Sequence, residues 1–135
     1  MTIQFSNAVR DAQNDAIETT ISTSAIMKIR TGAQPATCAT ADSGTVLATL
    51  NLPADWMSAS SGGVKALLGT WEDASADAAG TAAHFRVYAS NGTTCGMQGS
   101  VTATGGGGDL TLDNTNIASA QDVKVTSFSL TAGNA

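Results

Sequence analysis

The residues best suited to chemistry lie in "TATGGGGDLTLDN", Thr102 to Asn114, where four glycines run into Asp109 and an alternating segment. A phosphate-cradling loop needs Lys and then Ser or Thr after its last glycine, with a helix to follow. Here Asp109 and Leu110 follow Gly108, and the period is that of a strand. An aspartate at that place repels phosphate, and no strand–turn–helix unit surrounds the glycines, so dinucleotide binding fails as well. Calcium is a closer fit. Asp109, Thr111 and Asp113 alternate, which puts three hard oxygen ligands on one face of a strand. The glycine-rich calcium repeat reads GGxGxDxUx and works in tandem; here the aspartate arrives one residue early and the segment stands alone. The plain alternative is a bend, followed by a half-buried strand with Leu110 and Leu112 inside and its acids in solvent.

Other reactive side chains are few. His84 is the only histidine, and it falls off the apolar face of its strand, as an edge or surface residue would. A thiol–imidazole pair with Cys95 across a hairpin needs a third group to orient the base, and no Asp, Asn or Glu is placed for it. Glu72 and Asp73 beside Trp71 make a pair of acids that nothing separates from a polar loop. Trp56 and Trp71 could stack on sugars, or serve as core or interface anchors. Cys38 and Cys95 match no zinc or redox spacing. They read as two thiols in a reducing compartment, with a disulfide open to them in an oxidising one. No catalytic group, cofactor site or metal site is expected from these residues.

The chain around these groups is 135 residues long, enough for one domain with a real core. Its net charge is −5, with six scattered cations of which only Lys28 and Arg30 are close, so nucleic acid is not an expected partner. No run is long and apolar enough for a membrane span, and "MTIQFSNAVRDAQNDA" lacks the basic and apolar regions of a secretory signal. Synthesis and retention in the cytoplasm are expected, and the closing "TAGNA" carries no targeting signal.

An N-terminal helix is predicted. Phe5, Ala8, Val9, Ala12 and Ala16 share one face, Asn7, Asp11, Asn14 and Asp15 lie off it, and Ser6 can cap the start. The Thr- and Ser-rich "ETTISTS" should end it near Ile17 to Thr20. The apolar face must bury on the body or on a neighbouring subunit. From Ala25 the period becomes two, in "AIMKIR" and "TVLATLNL", with irregular stretches between them. "VKALLGTW" is a further candidate strand. "AAHFRVYAS" and "TTCGMQGSVTAT" form a hairpin around Asn91-Gly92. Matching their apolar faces sets Val87 opposite Met97 and Ala89 opposite Cys95, which requires a longer loop or a bulge. A phase change near Thr126-Ser127, between Val123/Val125 and Phe128/Leu130, reads as a second bulge. The expected fold is mainly β, a β-sandwich or jelly roll of about seven to eight strands (23–135) with a short helical arm (1–22).

Taken together, "TSAIMKIRTGAQPA", "GTVLATLNLPADW", "GTWEDASADAAGTAAHFRVYASNGTTC" and "TGGGGDLTLDNTNIA" resemble a set of small structural proteins of tailed bacteriophages, encoded among the head genes near the major capsid protein. The resemblance spans nearly the whole chain. It implies a non-enzymatic virion protein on the capsid exterior, a decoration or cement protein. Such a protein binds the major capsid protein lattice, often as a homotrimer, and holds the shell against internal DNA pressure. A tail-tube or head–tail connector protein of this size is the alternative within the same class. A carbohydrate-binding or host-adhesion module would instead expose Trp56, Trp71 and Tyr88, and an enzyme would need a reactive Cys95 or His84. The expected contact residues are Phe5 and Val9 on the helix and Trp56 and Trp71 on loops.

Overall fold

The computed structural model describes residues 3–133. The elements are α1 (Asn7–Ile21), β1 (Ile26–Arg30), β2 (Val46–Asn51), β3 (Val64–Ala66), β4 (Trp71–Asp73) and β5 (Gly80–Thr81). They continue with β6 (His84–Tyr88), β7 (Cys95–Ala103), β8 (Leu110–Leu112), β9 (Asn116–Ile117), β10 (Val123–Val125) and β11 (Ser129–Thr131). The protein is mainly β with one short N-terminal helix. Eleven strands among the described residues replace the expected seven or eight, because several are only two or three residues long. No helix among the described residues is long and apolar enough to cross a membrane.

The central sheet has the order β2-β1-β6-β7-β8. Every pairing in it is antiparallel except β7 with β8. Its two faces differ sharply. Met27, Ile29, Ala48, Leu50, Phe85 and Val87 lie on the face that enters the core. Lys28, Arg30, His84, Arg86, Tyr88 and Gln98 occupy the other face, and the connection 31–45 lies over it. The hairpin has Val87 opposite Met97, as the apolar match required. A bulge after Val87 then sets Tyr88, not Ala89, opposite Cys95. Asn91 Oδ1 accepts from the amides of Thr93 (2.9 Å) and Thr94 (3.0 Å), and Gly92 takes φ +72°, so the turn is longer than two residues.

Three two-stranded ladders complete the molecule: β10 with β4, β11 with β3, and β5 with β9. "VKALLGTW" is therefore two strands, β3 and β4, in different ladders. The phase change at Thr126-Ser127 is the passage of the chain from the β4 ladder to the β3 ladder, not a bulge. Phe128 sits at that crossing and knits the layers. Its ring lies 5.4 Å from Trp71 and 5.7 Å from Phe85, and Trp71 lies 6.0 Å from Trp56. Trp56 and Trp71 are thus fully buried core residues, not the surface contacts expected of them. Their indole N–H groups are satisfied internally. Trp56 Nε1 donates to Ser22 O (3.0 Å), and Trp71 Nε1 to Trp56 O (3.1 Å) and Leu68 O (3.2 Å). Burial of a tryptophan with its donor paired is the more stable use of so large an apolar surface.

The glycine run makes the connection 104–109 between β7 and β8. These strands are neighbours and parallel, with Val101 opposite Leu110. A parallel return ordinarily takes a dozen or more residues. Here Gly105 and Gly107 adopt φ +88° and +80°. A Cβ on Gly108 would stand 2.9 Å from the Thr102 amide nitrogen, and one on Gly106 2.7 Å from Thr102 Oγ1. The run is a tight bend. Asp109 closes it by accepting from the Ser100 amide (2.8 Å) and hydroxyl (2.9 Å).

Candidate functional site

Helix α1 is mounted on the body by its polar face. The connection 56–63 carries amides that no strand partner takes up, and buried amides require acceptors. The helix supplies them. Glu18 Oε1 accepts from Trp56 N and Met57 N (both 3.2 Å). Asp15 Oδ1 accepts from Ser60 N (3.0 Å), and Asp11 Oδ1 from Gly63 N (2.7 Å) and Ser60 Oγ (2.8 Å). Asn14, buried, donates to Gly63 O (2.8 Å) and Ser60 Oγ (3.1 Å). Arg10 Nε donates to Ala132 O (3.0 Å).

Lys65, buried on β3, points into this mount and holds Asp15 (2.8 Å) and Glu18 (2.9 Å). Its hydrogen bond, with the Ser60 amide, keeps the Asp15 carboxyl below its usual range. Burial works against the Lys65 cation, but the bonds to Asp15 and Glu18 outweigh it and raise the ammonium's pKa. The groove of about 590 Å³ beside Lys65 is lined by Asp15, Glu18 and Lys65, which are paired with one another, and by Asp55.

The consequence is an inverted amphipathic helix. Its apolar stripe of Ala8, Val9, Ala12 and Ala16 faces solvent, and Phe5, ahead of the Ser6 cap and outside the helix, is exposed as well. Ile3 is 67% exposed, Phe5 41% and Val9 43%. At its C-terminal end the stripe runs into a shallow groove between Ala16, Ile17, Ile21 and Gly96, where the helix crosses β7. Ile21 is the one apolar side chain of α1 that is buried. Helix end and cap explain the reach: Ser6 Oγ accepts from Val9 N (3.3 Å), and the chain leaves the helix at Ser22, φ +82°. The helix runs to Ile21 rather than ending near Ile17 to Thr20; the Thr19 hydroxyl is accommodated by donating to Asp15 O (3.0 Å).

The second constellation is the polar sheet face under the 31–45 connection. Asp42 is its hub. Its carboxylate accepts from Arg86 Nη1 (2.7 Å), Tyr88 Oη (2.7 Å) and Arg30 Nη2 (3.0 Å). Burial pushes this carboxyl up, but the bonds from Tyr88 and Arg86 and the charges of Arg30 and Arg86 outweigh it, and it titrates below its usual range. Arg86 Nη2 donates to Thr37 O (2.8 Å) and Gln98 Nε2 to Pro35 O (2.7 Å). His84 is buried here rather than at an edge, with Nδ1 2.8 Å from Gly32 O and Nε2 without a protein partner. His84 pairs with Ser100 and Cys95 with Tyr88, at opposite ends of β6, so they form no dyad.

The remaining sequence candidates resolve as local structure. Asp73 accepts from the Thr49 amide (2.8 Å) and the Ser75 amide (3.0 Å), and Glu72 lies opposite Lys124 in the ladder. No group of three or more His, Cys, Asp or Glu side chains that could hold a metal occurs among the described residues. Tyr88 is buried on the polar sheet face and the two tryptophans in the core, so the three rings offer no stacking platform to a sugar. Sequence reasoning missed the mount. Its signal was present, since Asp11, Asn14, Asp15 and Glu18 recur at the same three-and-four spacing as the apolar stripe. No family model, no curated protein and no solved structure matches this chain.

Proposed function

We propose that this protein is a non-enzymatic structural protein of a tailed-bacteriophage virion, a sandwich-like decoration or cement protein that binds the major capsid protein lattice on the head exterior. The observation that carries this reading is the orientation of α1. A helix that spends its carboxylates on the body and turns Ala8, Val9, Ala12 and Ala16 outward presents a surface shaped for another chain. The acidic balance of the chain suits a protein held apart from packaged DNA. The resemblance of its strand and turn segments to phage head-region proteins supplies the partner: the capsid lattice, engaged by copies of the protein assembled as a trimer. Many weak contacts on a fixed lattice add by multivalency.

The test is co-sedimentation of the purified protein with empty capsid shells that lack it, using wild type and Val9→Asp. Wild type binds saturably at a stoichiometry commensurate with lattice positions. Val9→Asp keeps its thermal stability, because an acid in the first helical turn is favourable, and loses shell binding at least tenfold. Absence of wild-type binding to both unexpanded and expanded shells would overturn the capsid assignment. Self-assembly of the protein into rings or tubes would then assign it to the tail or connector.

A further inference from the structure

We propose that Cys38 and Cys95 are a cross-linking pair whose disulfide clamps the 31–45 connection onto the polar face of the central sheet. The two thiols are 57 positions apart in sequence, yet their sulfurs stand 2.8 Å apart. They are the only cysteines in the chain. Both are half-buried and both are thiols in this structure. Their approach is held from both sides. Cys95 lies opposite Tyr88 in the β6–β7 ladder, where the buried Tyr88 is bonded to Asp42. Cys38 follows Thr37, whose carbonyl is fixed by buried Arg86. The neighbouring Pro35 carbonyl is fixed by Gln98. Sulfurs this close need only a short further approach to reach the narrow geometry a disulfide demands. No third His, Cys, Asp or Glu joins them among the described residues, so they do not form a zinc site.

The chemistry is thiol–disulfide exchange with a small-molecule disulfide such as oxidised glutathione. Burial and the adjacent Cys38 push the Cys95 thiol up to about 12. The exchange balances with either thiol as the first attacker, here Cys38. Its thiolate displaces one glutathione thiolate, which takes up a proton, and leaves a mixed disulfide at Cys38. Cys95 then loses its proton, its sulfur attacks Cys38 Sγ, and the second glutathione departs as a thiol. Two protein thiols are oxidised and one external disulfide is reduced. The ring so closed is long, and a bridge across a long loop constrains the unfolded chain strongly. The clamp holds Asp42 over Arg30 and Arg86, so it joins the connection covalently to a network that otherwise rests on ion pairs. This inference does not depend on the virion reading.

The experiment is incubation of the folded full-length protein with oxidised glutathione, followed by intact mass, thiol titration and thermal melting. The expected product is a monomer lighter by two hydrogens, with no titratable thiol and no retained glutathione, melting on the order of 10 °C above the reduced form. Cys38→Ser shows no such gain and no such loss of mass. A stable glutathione adduct on wild type, two thiols that still titrate, or a dimer cross-linked through cysteine would each overturn the pairing.

Discussion

Asp42 shows how much one exposed-looking side chain can carry. Two buried guanidiniums and a buried phenol converge on it. Asp42→Asn leaves those cations without their counter-charge. The cost is expected at about 2 kcal/mol, below that of a fully enclosed pair because the Asp42 side chain is 39% exposed. Its pKa in the folded protein lies below the ordinary 3.8. The stabilisation is therefore complete above that value and is lost as pH falls through the lower folded value. Melting temperature should fall steeply below about pH 4, and Asp42→Asn should start lower at neutral pH and lose less on acidification. Melts across that range check both slopes. Gly108 makes a different kind of test. Alanine there sets a Cβ 2.9 Å from the Thr102 backbone nitrogen. Gly108→Ala should cost about 1–3 kcal/mol by denaturant titration, and a neutral result would mean that the bend can open without loss.

Helix α1 is held along most of its length by hydrogen bonds and one buried ammonium, and at its C-terminal end by Ile17 and Ile21 against the core. A polar interface of this kind is specific, because each donor has a stated acceptor. Its inner and outer faces should respond differently to mutation. Asn14→Ala removes a buried amide that donates to Gly63 and Ser60 and should cost about 1–2 kcal/mol. Ala12→Ser on the outer face should change stability by less than about 0.5 kcal/mol. Equal effects of the two in a denaturation series would contradict the inward placement of the polar face. The periodicity of "FSNAVRDAQNDA" was enough to find the helix and its cap. It was not enough to decide which stripe turns inward. Apolar spacing tells which side chains share a face, and the body then chooses by what it offers. Here it offers Lys65 and a row of unpaired amides, and carboxylates answer both.

At the scale of the whole molecule, the sequence determined what is local. Alternation placed Met27, Ile29, Ala48, Leu50, Phe85 and Val87 on core faces. Asn91-Gly92 marked the turn, and the apolar match of Val87 with Met97 fixed the register. Ser6 started the helix, and four glycines announced a bend. These features rest on neighbours within a few residues or on one pairing, so a pattern of types and spacings carries them. The tertiary structure decided the rest. His84 read as an edge or surface residue, yet it and Arg30 and Arg86 are buried because the 31–45 connection brings Gly32, Asp42 and Thr37 over them. Trp56 and Trp71 read as loop anchors, yet Phe128, far along the chain, draws them into one aromatic layer. The apolar stripe of α1 faces outward, and two distant thiols meet. Each of these outcomes depends on partners distant in sequence, whose approach is set by how the sheets stack. Periodicity reports which side chains share a face, while burial of that face is a property of whatever the folded chain lays against it.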